Sequence, residues 1–236
     1  MDTFNANASQ YSFTPQAIER AGEARLTYIR KVYAYFGLGI VGGIAGALIS
    51  MNTSLVFFVG NSPMIGFLVL IGMSIFAAKS STHPTRAVPT LVAFTFVSGV
   101  IFSPTFYAIS HHYIPGTGVE TIYDALFMTS LVFGALTAYV FITKKDFSYM
   151  GASLMIGLFL VIGVSVVNLF IQSSNMSIAV AAVTVVLFSG FILFDTSRIL
   201  KNANTIPPTL GALNLYLDFL NLFMALLQLL TGGRRR

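Results

Sequence analysis

Seven apolar runs dominate this chain: 32–50, 55–78, 88–110, 123–142, 149–171, 178–200 and 210–230. Each is close to the ~20 residues that an α-helix needs to cross a ~30 Å hydrocarbon core. Lipid offers no partner for a free backbone N–H or C=O, so a spanning segment must be a helix or a strand of a closed barrel. Barrel strands alternate apolar and polar residues over about ten positions. These runs are apolar all round, and helices are the expectation. The fold class predicted is an all-α polytopic membrane protein with seven transmembrane helices at 32–230, a polar N-terminal tail at 1–31 and a basic C-terminal tail at 231–236.

Composition closes off a soluble alternative. Only 9% of the residues are charged and 56% are hydrophobic, against about 25% charged in ordinary soluble domains. The chain has no Cys, which removes disulfides, thiolate metal sites and cysteine nucleophiles. The net charge of +5 is scattered between apolar runs and not gathered into a stripe, so no nucleic-acid partner is expected. The first thirty residues lack the early apolar core of a cleavable signal.

Basic residues give an orientation. Arg20, Arg25, Arg30 and Lys31 precede the first run, Lys79 and Arg86 follow the second, Lys144 and Lys145 the fourth, and Arg198 and Lys201 flank the turn after the sixth. The alternate connections have none. This pattern predicts a cytoplasmic N-terminus. Full crossing by the last run puts Arg234, Arg235 and Arg236 on the opposite side; a re-entrant run would keep them inside. Full crossing is the expectation here, because the run is long enough.

Local signals refine the spans. Thr14-Pro15 is a helix-opening pair, cap and first position. Gly39/Gly43 and Gly42/Gly46 are small-xxx-small pairs that allow close approach of a neighbouring helix. Pro63 and Pro104 are expected to interrupt the second and third runs.

Two acids lie deep in apolar runs: Asp195 in GFILFDTSRIL and Asp218 in NLYLDFLNLF. A carboxylate at a spanning helix's centre costs about 2.5–3.5 kcal/mol on insertion scales. Helical rise puts the two at roughly 8 and 12 Å from one membrane edge. The stretch joining their runs is short, so the helices are expected to be antiparallel neighbours and the carboxylates to meet. Asn214, Asp218, Asn221, Ala225 and Gln228 fall on one helical stripe. Arg198, three residues after Asp195, is within reach of it. One reading makes Asp195–Arg198 a structural ion pair. The other makes Asp195 and Asp218 a pair that holds one proton between them, able to sense pH and, with Asn side chains and water, to coordinate a hard cation such as Ca²⁺.

GFILFDTSRIL and ALNLYLDFLNLFMALLQLL resemble the C-terminal signature of the transmembrane Bax inhibitor motif family, and SGVIFSP at 98–104 resembles its Gly-x-x-x-Ser-Pro stretch. The likeness runs from about residue 28 to 230. It implies a seven-helix fold with the last helix central and the other six wrapped around it, in a multi-pass protein. It also implies a pH-sensitive Ca²⁺ leak in which Asp195 and Asp218 are sensor and gate; the stripe and spacing above add Asn214, Asn221 and Arg198 as supporting polar groups and make the acids a transient Ca²⁺ site. The family's basic latch near the end of helix two would fall to Lys79 or Arg86. No acid stands between Pro63 and Ala78, where several members carry a Glu. The resemblance also allows a non-conducting regulator that binds a membrane protease or stress-response factor. Membership in a bacterial plasma membrane is the expectation.

No cofactor and no catalysis are expected. Neither acid sits in the Gly-x-Gly-Asp setting of intramembrane aspartyl proteases. His83, His111 and His112 all lie in or beside connections, and His111-His112 reads as a solvated pair and not a metal site.

Overall fold

A computed structural model describes residues 15–114, 116–201, 203 and 205–233. Among them are eight helices: α1 (Pro15–Met51), α2 (Leu55–Gly60), α3 (Pro63–Ser80), α4 (Ala87–Ser110), α5 (Val119–Thr143), α6 (Gly151–Ile171), α7 (Ser174–Lys201) and α8 (Pro208–Gly233). A 3-10 turn, Ser148–Met150, precedes α6. All but α2 are long and apolar enough to cross a membrane, giving seven spans. The protein is an all-α, integral multi-pass membrane protein.

The first span starts earlier than its apolar run. α1 has 37 residues, about 55 Å at the helical rise, well beyond the ~30 Å core. It passes through residue 31 without a break, and its first turns carry Glu19, Arg20, Glu23 and Arg25 exposed. The tail before Pro15 and the Arg234–Arg236 cluster lie outside the described residues. α8 is one unbroken helix of 26 residues, so its two ends stand on opposite faces of the bundle.

The two prolines act differently. Pro63 opens α3 at its first turn, and the break at Asn61–Ser62 splits the second run into α2 and α3. Pro104 sits inside an unbroken α4, contrary to the expectation that it would interrupt the third run. A proline leaves the carbonyl four residues earlier without its helical partner. Here that carbonyl is Val100 O, and the Ser103 hydroxyl donates to it at 2.7 Å. The same hydroxyl is 2.7 Å from that of Ser50 on α1. Ser-Pro is thus a self-repairing break that also ties two helices. Ser103→Ala should leave Val100 O and Ser50 unsatisfied in a buried place. It is expected to cost about 1–3 kcal/mol, read as a lower thermal midpoint in detergent.

α8 forms the centre. More than half of its spanning window (56%) is buried, against 6% for α6. α1, α3, α4, α5 and α7 pack on α8, and α6 stands behind α7. Cross-links fix α8 in place. Tyr216 Oη pairs with Ser98 Oγ of α4 at 2.6 Å, and Thr209 Oγ1 donates to Ser81 O of the α3–α4 connection at 3.0 Å.

The glycine pairs of α1 meet α4. A Cβ at Gly46 would overlap the Phe96 carbonyl, and one at Gly99 would overlap the Gly43 carbonyl. The two backbones touch, which only glycine permits at these positions.

The connections at one end of the bundle carry Lys79, Arg86, Lys144, Lys145 and Lys201; those at the other, 52–62, 111–118 and 172–173, carry no Lys or Arg. These are called the basic and neutral ends below.

Candidate functional site

Asp195 and Asp218 are 7% and 4% exposed, in the basic half of the bundle. α7 and α8 are joined by a short turn and pack antiparallel along their length. This brings the face of α8 that carries Asn214 and Asp218, one turn apart, against Asp195. The Asn214 Nδ2 donates to Asp195 Oδ1 at 3.2 Å. Arg198 Nη1 is 3.5 Å from the same oxygen, while its guanidinium lies 5.2 Å over the Phe194 ring. Asp218 is different. Its Oδ2 is buried with no hydrogen-bond partner, and Asp195 is near enough for its charge to be felt there. One acid is therefore held by an amide and a cation, and the other has no such partner. Buried like charges at short range repel strongly because little water screens them.

The other residues singled out from the sequence are placed as follows. Asn221 turns its amide back to Leu217 O of its own helix, at 2.7 Å. Gln228, nearer the neutral end, donates to Ser177 O of α7 at 3.3 Å. Lys79 and Arg86 are exposed at the basic end, and among the described residues neither forms an ion pair with Asp195 or Asp218. The cation beside the acids is Arg198, whose side chain is 35% exposed. His111 and His112 are exposed in the α4–α5 connection. The His111 ring stacks on Tyr107 at 3.9 Å, and His112 Nδ1 contacts Thr117 O.

Asp146 offers a contrast. It lies outside the spans, paired with Lys201 at 2.7 Å. The bonds from Lys201 and then Ser148 hold its carboxyl well below the usual carboxylate range. A depressed value contributes stability above the ordinary range and loses it only as pH falls through the lowered one, so mild acid leaves this pair intact. The group is exposed, its side chain at 46%, and screened by salt. Asp146→Asn is expected to leave a mild-acid response unchanged, checked by comparing thermal unfolding of the two proteins at neutral and mildly acidic pH.

Sequence reasoning passed over a group of hydroxyls. Tyr33 Oη of α1, Thr137 Oγ1 of α5 and Thr196 Oγ1 of α7 are buried together, the tyrosine near enough to interact with both threonines. Tyr28 Oη, near Arg198, is buried without a hydrogen-bond partner. Unsatisfied buried polar atoms are rare in native proteins. Together with Asp218 Oδ2 these groups make the interior of the basic half polar. Tyr and Thr in an apolar run look ordinary, and no spacing marked them.

On the side of the acids toward the neutral end, Ile192, one turn beyond Asp195, and Leu222, one turn beyond Asp218, are fully buried.

A seven-span helical bundle with two buried acids on its last two helices defines the class of protein. A family profile described as "Inhibitor of apoptosis-promoting Bax1" matches residues 25–236, and the chain belongs to that family. An uncharacterized protein of Campylobacter jejuni is 34% identical over 212 residues, 89% of this chain and 90% of its own. Mouse protein lifeguard 4 is 32% identical over 219 residues, 90% of this chain and 87% of its own. The modulator of FtsH protease YccA of Escherichia coli is 32% identical over 202 residues, 85% of this chain and 89% of its own.

Proposed function

We propose that this protein is a pH-sensitive Ca²⁺ leak in a bacterial inner membrane, N-terminus in the cytoplasm, with Asp195 and Asp218 as its gate. The observation that carries the reading is the asymmetry of the acids: Asp195 Oδ1 is held by Asn214 and Arg198, while Asp218 Oδ2 is buried with no partner, within reach of the Asp195 charge. Two buried carboxylates arranged this way hold one proton between them more cheaply than two negative charges. Further protonation weakens the grip of Arg198 on Asp195. It also weakens the bond from Asn214 of α8 to Asp195 of α7, a cross-link between the basic ends of the two helices, and the apolar pair Ile192 and Leu222 becomes the remaining barrier. A shift of about 1.4 kcal/mol in such a balance changes the open fraction roughly tenfold.

The arrangement suits a passing cation. Ca²⁺ takes six to eight oxygens. The two carboxylates and the Asn214 carbonyl supply several and water the rest, which favours transient binding of a transported ion. The cluster of Lys and Arg at one end supports the orientation.

Reconstitution of the protein in liposomes loaded with a Ca²⁺ dye tests the reading. Flux should rise on mild acidification, and Asp195→Asn/Asp218→Asn should abolish that rise. Equal, pH-independent flux in both proteins sinks the proposal.

A second reading is favoured by one observation, the name of the Escherichia coli relative, modulator of FtsH protease YccA. In it the chain binds a membrane-bound protease or stress-response factor and conducts nothing. Under this reading neither protein conducts and the chain co-purifies with such a partner from its own membrane. No enzymatic activity is proposed under either reading.

A further inference from the structure

We propose that the crevice between α1 and α5 in the neutral half is a slot for one acyl chain of a phospholipid from that leaflet. This inference is independent of the ion reading. Among the described residues no Cα of α1 comes within 8 Å of a Cα of α5. In the basic half, aromatic side chains bridge the gap: Phe36 stacks on Phe133 at 4.9 Å and Tyr33 meets Phe141 at 5.9 Å. Toward the neutral end the gap stays open as a cavity of about 370 Å³. Ile44 and Leu48 of α1 form one wall, Ile122 and Leu126 of α5 the other, and Phe102 of α4 and Phe219 of α8 the floor.

Length, chemistry and position select the occupant. The lining of α1 runs from Ile40 to Met51, about 16 Å at 1.5 Å per residue. Half of a ~30 Å core is the depth of one leaflet, and so the reach of one chain. The walls are apolar along this depth. The Tyr216 hydroxyl at the inner end is already bonded to Ser98. The other hydroxyls, of Ser110 and Tyr123, stand at the outer end beside the α4–α5 connection. A tyrosine there is at headgroup level, where such amphipathic rings gather. The solvent at the mouth of the crevice is lipid. A chain that enters is touched by four helices, whereas one on the outer face of α6 meets a single helix, so dispersion contacts favour the slot.

The chain contains no Trp, which makes the test clean. Single variants Phe102→Trp (slot floor), Phe159→Trp (67% exposed on α6) and Phe94→Trp (1% exposed in the core) are reconstituted in phosphatidylcholine vesicles. An analogue brominated along its acyl chain then replaces the lipid stepwise. The expected Phe102→Trp emission falls in proportion to the brominated fraction, the signature of a single neighbouring chain. The Phe159→Trp emission falls more steeply, as several annular lipids reach it, and Phe94→Trp stays bright. Adding Ala47→Phe, which fills the slot from α1, should protect Phe102→Trp. Leu126→Trp on the opposite wall gives the same readout should Phe102→Trp fail to fold. Absence of quenching, a curve as steep as that of Phe159→Trp, or quenching unchanged by Ala47→Phe would each overturn the proposal.

Discussion

Gly99→Val is expected to cost the protein its fold. A Cβ at this position overlaps the Gly43 carbonyl and comes within 2.8 Å of the Ala47 nitrogen. Both are helix backbone, so no rotamer change can make room. Overpacking a core usually costs 1–3 kcal/mol when side chains can shift. Here α1 and α4 must separate along the contact that also holds Gly42, Gly46 and the Ser50–Ser103 bond. The loss should exceed about 3 kcal/mol, a large share of the roughly 5–15 kcal/mol of a typical fold. Gly46→Val, aimed at the Phe96 carbonyl, should behave alike. Gly37 is the control. It lies on the same helix with nothing within 4 Å of its would-be Cβ, and Gly37→Ala is expected to stabilise by up to about 1 kcal/mol through helix propensity. Recovery as a single peak in size-exclusion chromatography, followed by thermal unfolding in detergent, reads all three. A well-folded Gly99→Val protein contradicts the close α1–α4 contact.

Asp218→Asn is expected to make the protein more stable, by about 1–3 kcal/mol. The substitution keeps shape and removes a charge whose placement in a spanning helix costs about 2.5–3.5 kcal/mol. Asp218 has little to lose, since its Oδ2 has no partner and its neighbour is another acid. The gain should grow as pH rises, because alkaline conditions force both carboxylates toward the charged form. Asp195→Asn should gain less, since it also strips Arg198 of its counter-charge. Function runs the other way: both variants should lose their response to acid. A stabilised but unresponsive protein is what a site built for switching, and not for rigidity, predicts. A destabilised Asp218→Asn protein would make the acid structural glue.

Much of the fold was legible from hydrophobicity alone, because each span must be apolar along its whole length. α1 opens at Pro15, as the Thr14-Pro15 pair indicates, and continues into the first apolar run because charged residues on its first turns project past the membrane edge and do not interrupt a helix. The expected break at Pro63 is found, where the proline takes the first turn of α3; the one at Pro104 is not, because the Ser103 hydroxyl beside it takes up the freed carbonyl. Both prolines look alike in an apolar run. Asp195 and Asp218 stood out because charge is scarce there. Their inequality did not, since it depends on Asn214 reaching Asp195 across the α7–α8 contact and on Arg198, one turn along α7, sharing the same oxygen. The hydroxyls of Tyr33, Thr137 and Thr196 come from three helices far apart in sequence. Only packing assembles them.

If Asp195 and Asp218 act as one electrostatic unit, a double-mutant cycle of unfolding free energies will show it, with Asp195→Asn, Asp218→Asn and the double variant compared with wild type at neutral and alkaline pH. Each single variant relieves the same repulsion, so the double should fall short of the sum of the singles by about 0.5–3 kcal/mol, the range found for residues in contact. The shortfall should be larger at alkaline pH. Additivity to within about 0.5 kcal/mol at both pH values would mean that the two acids do not sense each other, and the account would fail.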